Sequence, residues 1–302
     1  MKKPPEGGFL LGPVFRTRKA RAGTQCARSR ISGASRRKGR RAAQHPGHES
    51  VLFGAIAYRA HSRQNTAKRS PRNSPEDTMG TAITFKRPDG KDAAGYLANA
   101  ARGNAPGVVV IQEWWGLSDQ IKGLCDRFAL AGFDALAPDL YKGKVVPYHD
   151  TDSANKEMNS LDFMDATTQT VRGAAQYLSR NGAKVGLTGF CLGGAVTIIG
   201  ATKIPELAAG VVFYGIPPEQ AAKPADVKIP LQAHFANKDD WCTPELVNGF
   251  EKAMKAAGKS LELFRYDAEH AFVNEQRQAV HDREAAELAW GRATEFFRKH
   301  LG

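Results

Sequence analysis

Residues 185–195 read Val-Gly-Leu-Thr-Gly-Phe-Cys-Leu-Gly-Gly-Ala, which places a cysteine between two glycines in the pattern Gly-x-Cys-x-Gly. An apolar run enters the pattern and a helix-forming run leaves it. This is the strand–turn–helix arrangement of a nucleophile elbow, with sulfur where hydroxyl is more common. The turn is so tight that side chains at Gly189 or Gly193 would meet neighbouring backbone. The head of a helix offers free N–H groups and the positive end of the dipole, and both favour a thiolate at Cys191. A buried structural cysteine in a glycine-rich turn would have the same local sequence, so the partners must decide. A nucleophile of this kind needs an acid and then a histidine later in the chain, each at the end of a strand. Asp240 follows the run Ile229–Phe235 and precedes a helix, with Asp239 beside it as the alternative acid. His270 follows the run Leu261–Tyr266.

The elements that must position these residues alternate regularly. Short apolar runs at 82–87, 95–100, 108–111, 133–137, 184–188, 209–214, 229–235 and 261–266 have strand character. Amphipathic stretches predict helices starting after Ser118 and spanning 153–180, 192–203, 243–257 and 283–300. Such strand–helix repeats predict a doubly wound, mostly parallel α/β sheet with helices on both faces. Ligands of these sheets bind at the carboxyl ends of the strands. Residues 79–302 are expected to form this single domain.

The first quarter of the chain differs. Of the 302 residues, 43 are Lys or Arg and 31 Asp or Glu, a net charge of +12. Residues 1–78 hold 18 of those bases and only 4 of the acids. A segment so rich in Arg, Ser and Gly is expected to be a disordered extension. Three readings are open for it: non-specific contact with nucleic acid, an organelle transit peptide, or a segment preceding a true start at Met79. No apolar run approaches the ~20 residues of a membrane span. Four cysteines in a chain of this length form no disulfide framework and match no zinc spacing.

With these motifs together, the sequence resembles the dienelactone hydrolases (carboxymethylenebutenolidases) of the α/β-hydrolase superfamily. The resemblance rests on Gly-Phe-Cys-Leu-Gly-Gly at 189–194, Gln-Glu-Trp-Trp-Gly-Leu at 112–117, Ala-Pro-Asp-Leu-Tyr at 137–141, Asp240 with Pro244, and His270-Ala271-Phe272. It covers essentially all of residues 80–302. It implies Cys191 as nucleophile, His270 as general base and acid, Asp240 as the group orienting His270, and Glu113 beside the thiol, holding it neutral at rest. The match of Asp240 to Pro244 is the reason to prefer it over Asp239. Glu113 also has a physical rationale, because the run 108–111 delivers it between an apolar strand and two tryptophans. A carboxyl there is partly desolvated and holds its proton more tightly, whereas a solvent-facing loop glutamate is the alternative. The backbone N–H groups of Trp114 and Leu192 are the expected oxyanion donors.

The sequence departs from the family at the two arginines that hold a substrate carboxylate in its best-studied members. Those positions are Gly143 and Asn274, with Lys142, Lys144 and Arg277 nearby, so a carboxylic ester or another lactone is expected in place of dienelactone. The expected activity is hydrolysis of an ester or lactone through an acyl-enzyme. A binding protein on the same scaffold and an acyl transferase using the same residues are the alternatives. The expected partner is a small-molecule ester or lactone, with no membrane and no metal or organic cofactor; nucleic acid enters only through the basic tail. A cytoplasmic location is expected, with organelle targeting by the extension as the alternative. Cys125 and Cys242 are expected to be core, and His149, His234, His281 and His300 to be surface or satisfied interior residues.

Overall fold

Runs of β-branched and small apolar residues too short for helices pair into strands that bury both faces. The computed structural model describes residues 80–302. Its strands are β1 (Thr81–Lys86), β2 (Asp92–Ala98), β3 (Gly107–Ile111), β4 (Asp134–Pro138), β5 (Val185–Phe190), β6 (Leu207–Phe213), β7 (Leu231–Lys238) and β8 (Leu261–Glu269). They form one eight-stranded sheet in the order β1-β2-β4-β3-β5-β6-β7-β8. β2 is antiparallel to both β1 and β4, and every other pairing is parallel. The hairpin from β1 to β2 turns at Gly90, whose φ of 82° is the conformation the Pro-Asp-Gly turn requires.

The helices are α1 (Asp119–Leu130), α2 (Thr151–Ser160), α3 (Phe163–Asp165), α4 (Arg172–Ser179), α5 (Leu192–Lys203), α6 (Pro244–Ala256) and α7 (Arg283–Leu301). They divide between two apolar cores. Along β3, Val109 and Ile111 point into the core that contains Ala174, Ala175, Val196 and Ile199 of α4 and α5. Val108 and Val110 point into the core that contains Phe128 of α1 and Phe297 of α7. A strand that feeds alternate residues to two cores reads as unbroken apolar sequence, which is why β3 and β5 lack polar alternation. The doubly wound sheet with helices on both faces is therefore as expected.

One element differs from expectation. The helix anticipated over 153–180 is interrupted: α2 ends at Ser160, Leu161 is extended, α3 is a single turn, and Ala166–Val171 is a π-helical stretch leading into α4. Asp162 causes the restart, because its Oδ1 accepts the N–H groups of Met164 and Asp165 as an N-cap. Ser118 occupies the N-cap position of α1, but its side chain makes no capping bond. The expectations for residues 1–78 and for Met79 fall outside the described residues. Among the described residues, no helix is long and apolar enough to cross a membrane.

Candidate active site

Register decides which residues meet at the carboxyl edge of the sheet. Ile111 of β3 pairs with Gly189 of β5, so Glu113 and Cys191 emerge side by side. Lys238 of β7 pairs with Glu269 of β8, so the next residues, Asp239 and His270, emerge together. β6 lies between these pairs and delivers Tyr214 into the middle.

The cysteine turn has the conformation that the two glycines imply. Cys191 has φ 56° and ψ −116°, in the left-handed half of the map, and α5 begins at the next residue. Such a backbone costs on the order of 1–3 kcal/mol and survives only where its surroundings enforce it. They do so here: the Cys191 N–H donates to Phe213 O at 3.1 Å, and its carbonyl accepts from Gly194 N at 2.9 Å. A Cβ on Gly193 would lie 2.5 Å from Ile111 O and 2.7 Å from Gln112 O, and one on Gly189 would strike the carbonyl of Gly193. The thiol is almost fully buried. The backbone N–H groups of Leu192 and Trp114, the two expected oxyanion donors, both hydrogen-bond its sulfur.

Glu113 is 2 % exposed. Its Oε2 accepts from Asn274 Nδ2 at 2.9 Å and its Oε1 from the Tyr214 hydroxyl at 3.2 Å. Burial pushes its pKa up, against the opposing pull of the Asn274 amide, the charges of His270 and Arg277, and the Tyr214 hydroxyl. The Cys191 thiol is pushed well above its ordinary value, first by burial and then by the Glu113 carboxylate. The N–H groups of Leu192 and Trp114 pull the other way. Each shift is toward the protonated form relative to the free group.

The acid that faces His270 is Asp239, which corrects the expectation of Asp240. Asp239 Oδ2 lies 2.7 Å from His270 Nδ1, and its Oδ1 accepts from the backbone N–H groups of Trp241 and Cys242 at 2.8 Å each. Asp240 is exposed. The turn after β7 needs an acceptor for the N–H groups of Trp241 and Cys242, and buried Asp239, directly after the β7–β8 register, supplies it. Burial raises the Asp239 pKa, but the His270 bond, its charge and the two N–H groups outweigh it, so the carboxyl sits below its ordinary value. A carboxylate can only accept, so the bond to ionised Asp239 places an N–H on His270 Nδ1. His270 Nε2 is buried and has no hydrogen-bond partner. The ring is held edge-on between Tyr214 and Trp241, with centroids 5.1 Å from each.

The remaining expected positions are accounted for as follows. Trp115 is buried with Val146 and Ala154, and Trp114 packs edge-on against it at 5.0 Å. Gly143 is exposed with φ 91°, Lys144 pairs with Glu157 at 2.9 Å, and Arg277 lies over the Trp115 ring at 5.6 Å. Cys125 and Cys242 are buried and free, and His234 is an interior histidine bonded through both ring nitrogens. Among the described residues, no group of three or more His, Cys, Asp and Glu side chains is arranged to hold a metal. Sequence reasoning missed Tyr214 and Asn274 as the donors to Glu113, and Trp241 as the wall of the histidine. Tyr214 looked like a strand terminus, and nothing local marks its hydroxyl as a donor.

The arrangement joins a buried thiol, two converging N–H groups, an acid-held histidine with a free nitrogen, and a desolvated carboxyl. The pattern that defines the dienelactone hydrolase family matches residues 93–301. The chain is 36 % identical over 234 residues to "Protein usf" of Aquifex pyrophilus, covering 74 % of this chain and all of that protein. It is 33 % identical over 235 residues to a "Putative carboxymethylenebutenolidase" of Aquifex aeolicus, again with 74 % and 100 % covered. A solved structure, a "Putative Dienelactone Hydrolase" from Klebsiella pneumoniae, superposes with a TM-score of 0.65 at 28 % identity, covering 73 % of this chain and 99 % of that one. The chain belongs to the dienelactone hydrolase family, hydrolases built on the α/β-hydrolase fold.

Proposed function

We propose that this chain hydrolyses carboxylic esters or lactones through an acyl-enzyme on Cys191. His270 Nε2 takes the thiol proton and the sulfur attacks the carbonyl carbon. The N–H groups of Leu192 and Trp114 turn from sulfur to the new oxyanion. The tetrahedral adduct collapses, and the departing alkoxide takes the proton from His270. Water, deprotonated by His270, then attacks the thioester, and Cys191 leaves with its proton restored. Asp239 holds the imidazole in the tautomer that leaves Nε2 free and stabilises the imidazolium between steps. Glu113 holds the thiol neutral between turnovers and gives way when substrate enters.

The observation that carries this reading is the His270 ring, fixed through Nδ1 on Asp239 at 2.7 Å with a buried Nε2 that has no partner. A structural histidine in the interior would have both nitrogens bonded, as His234 does. Turnover of p-nitrophenyl acetate by the wild type and by Cys191→Ala tests it. The expected result is steady hydrolysis that falls at least a thousandfold in the variant; equal rates in the two would overturn the reading.

A further inference from the structure

We propose that Tyr214 is a positioning residue that couples the two halves of the site, its hydroxyl setting the Glu113 carboxyl and its ring setting the His270 imidazole. This deepens the hydrolase reading above, because it gives control of both the thiol and the base to a residue outside the nucleophile, base and acid. The backbone argues first. Among the described residues, five that are not glycine have positive φ, and three of them are Cys191, Tyr214 and Ala271, at the carboxyl ends of β5, β6 and β8. Tyr214 has φ 37°, a conformation that a bulky side chain adopts only where its surroundings enforce it. Here the Tyr214 N–H donates to His234 O at 2.9 Å, and the carbonyl before it, Phe213 O, accepts from Cys191 N at 3.1 Å. A Cβ on Gly215, the next residue, would strike the Cys191 carbonyl. The turn after β6 is therefore built against the nucleophile turn.

The side chain argues second. Tyr214 is fully buried and touches both pairs of functional groups. Its hydroxyl donates to Glu113 Oε1 at 3.2 Å, and its ring meets His270 edge-on at 5.1 Å while packing on Phe272 at 5.5 Å. His270 is bonded through Nδ1 to Asp239 and has no partner on Nε2, so the tilt of the imidazole about that bond is set by its aromatic walls. Of the two walls, Trp241 is 37 % exposed and Tyr214 is enclosed on all sides, which makes Tyr214 the fixed one. The charged and titratable groups facing Glu113 and Tyr214 are Cys191 from the turn before α5, His270 and Arg277 from the segment after β8, and Tyr148 from the segment before α2. The hydroxyl favours the ionised form of Glu113, and that charge raises the Cys191 thiol. Removing the hydroxyl keeps Glu113 neutral to higher pH and relieves the thiol.

Tyr214→Phe keeps the ring and removes the hydroxyl, whereas Tyr214→Leu removes both. Iodoacetamide alkylation of Cys191, followed by mass spectrometry across pH, tests the hydroxyl. The midpoint in Tyr214→Phe is expected below that of the wild type by about half a pH unit. In a Glu113→Gln background the same substitution is expected to move it no further. A midpoint that stays, rises, or shifts equally in both backgrounds would overturn the coupling to Glu113. Initial rates with p-nitrophenyl acetate test the ring. An edge-on aromatic pair corresponds to roughly 2- to 12-fold, so kcat in Tyr214→Leu is expected to lie that far below kcat in Tyr214→Phe, with KM shared by the two. Equal kcat values in the two variants would overturn the positioning of His270. Thermal melts establish that each variant is folded at the assay temperature, and the nearly isosteric Tyr214→Phe carries the alkylation test alone if Tyr214→Leu is not. A wild type without turnover sinks the hydrolase reading, and the alkylation cycle still decides whether Tyr214 governs the thiol through Glu113.

Discussion

Replacing each of the two neighbouring aspartates by asparagine separates the geometry of the site from the spacing of its sequence. In Asp239→Asn, the side-chain oxygen remains committed to the N–H groups of Trp241 and Cys242, which it accepts at 2.8 Å each. The amide nitrogen must then face His270 Nδ1, where the carboxylate lies at 2.7 Å. Loss of a charge-assisted bond of that length costs about 1.5–3 kcal/mol, or roughly 10- to 150-fold. The amide donor also drives the imidazole proton to Nε2, the nitrogen that must act as base. Together the two effects place the fall in kcat at roughly 10²–10⁴-fold. The two backbone bonds survive, so the melting temperature is expected to stay near that of the wild type. Asp240 is exposed, and Asp240→Asn is expected to keep kcat within about twofold. Initial rates with p-nitrophenyl acetate, alongside thermal melts, read both variants. A crippled Asp240→Asn beside an active Asp239→Asn would refute the assignment of the orienting acid.

Two further outcomes follow from the buried titrations. Glu113→Gln removes the second cause of the raised Cys191 pKa, so iodoacetamide should alkylate Cys191 at lower pH than in the wild type; an unchanged or upward-shifted profile would show that Glu113 does not govern the thiol. His234 is buried and its pKa is pushed down to about 3, first by burial and then by Arg292, against about 6.5 in an unfolded chain. The unfolded state therefore binds the extra proton, and stability present above pH 6.5 is lost as the pH falls toward 3, by up to about 1.4 kcal/mol per unit. Urea unfolding across that range should show a shallower acid loss in His234→Gln, and parallel slopes in the two proteins would contradict it.

Much of the fold was legible because its signals are local. Fully apolar runs such as 108–111 announce strands covered on both faces, and the helix over 192–203 was read to the residue because the glycine turn fixes its start and apolar residues fill it. The thiol turn was legible for a similar reason: only glycine fits where Gly193 meets the carbonyls of Ile111 and Gln112. The break in the helix after Ser160 was missed because apolar periodicity runs through it. Met158 and Val171 serve the same core on either side, and only the Asp162 cap betrays the restart. The choice between Asp239 and Asp240 was beyond spacing to Pro244. It depends on the pairing of Lys238 with Glu269 and on two N–H groups that need an acceptor, both tertiary facts. Tyr214 and Asn274 lie 101 and 161 residues from Glu113, and no local pattern connects them.

The central claim is that Cys191 carries the acyl group. Acid-quenched mixtures of the protein with p-nitrophenyl acetate, digested and read by mass spectrometry, test it directly. The account predicts an acetyl increment on the peptide containing Cys191 that disappears in Cys191→Ala and accumulates when His270 is replaced by alanine under forcing substrate. An acetyl group on Cys242 or on a serine instead, or steady hydrolysis with no increment on Cys191 at any quench time, would contradict it.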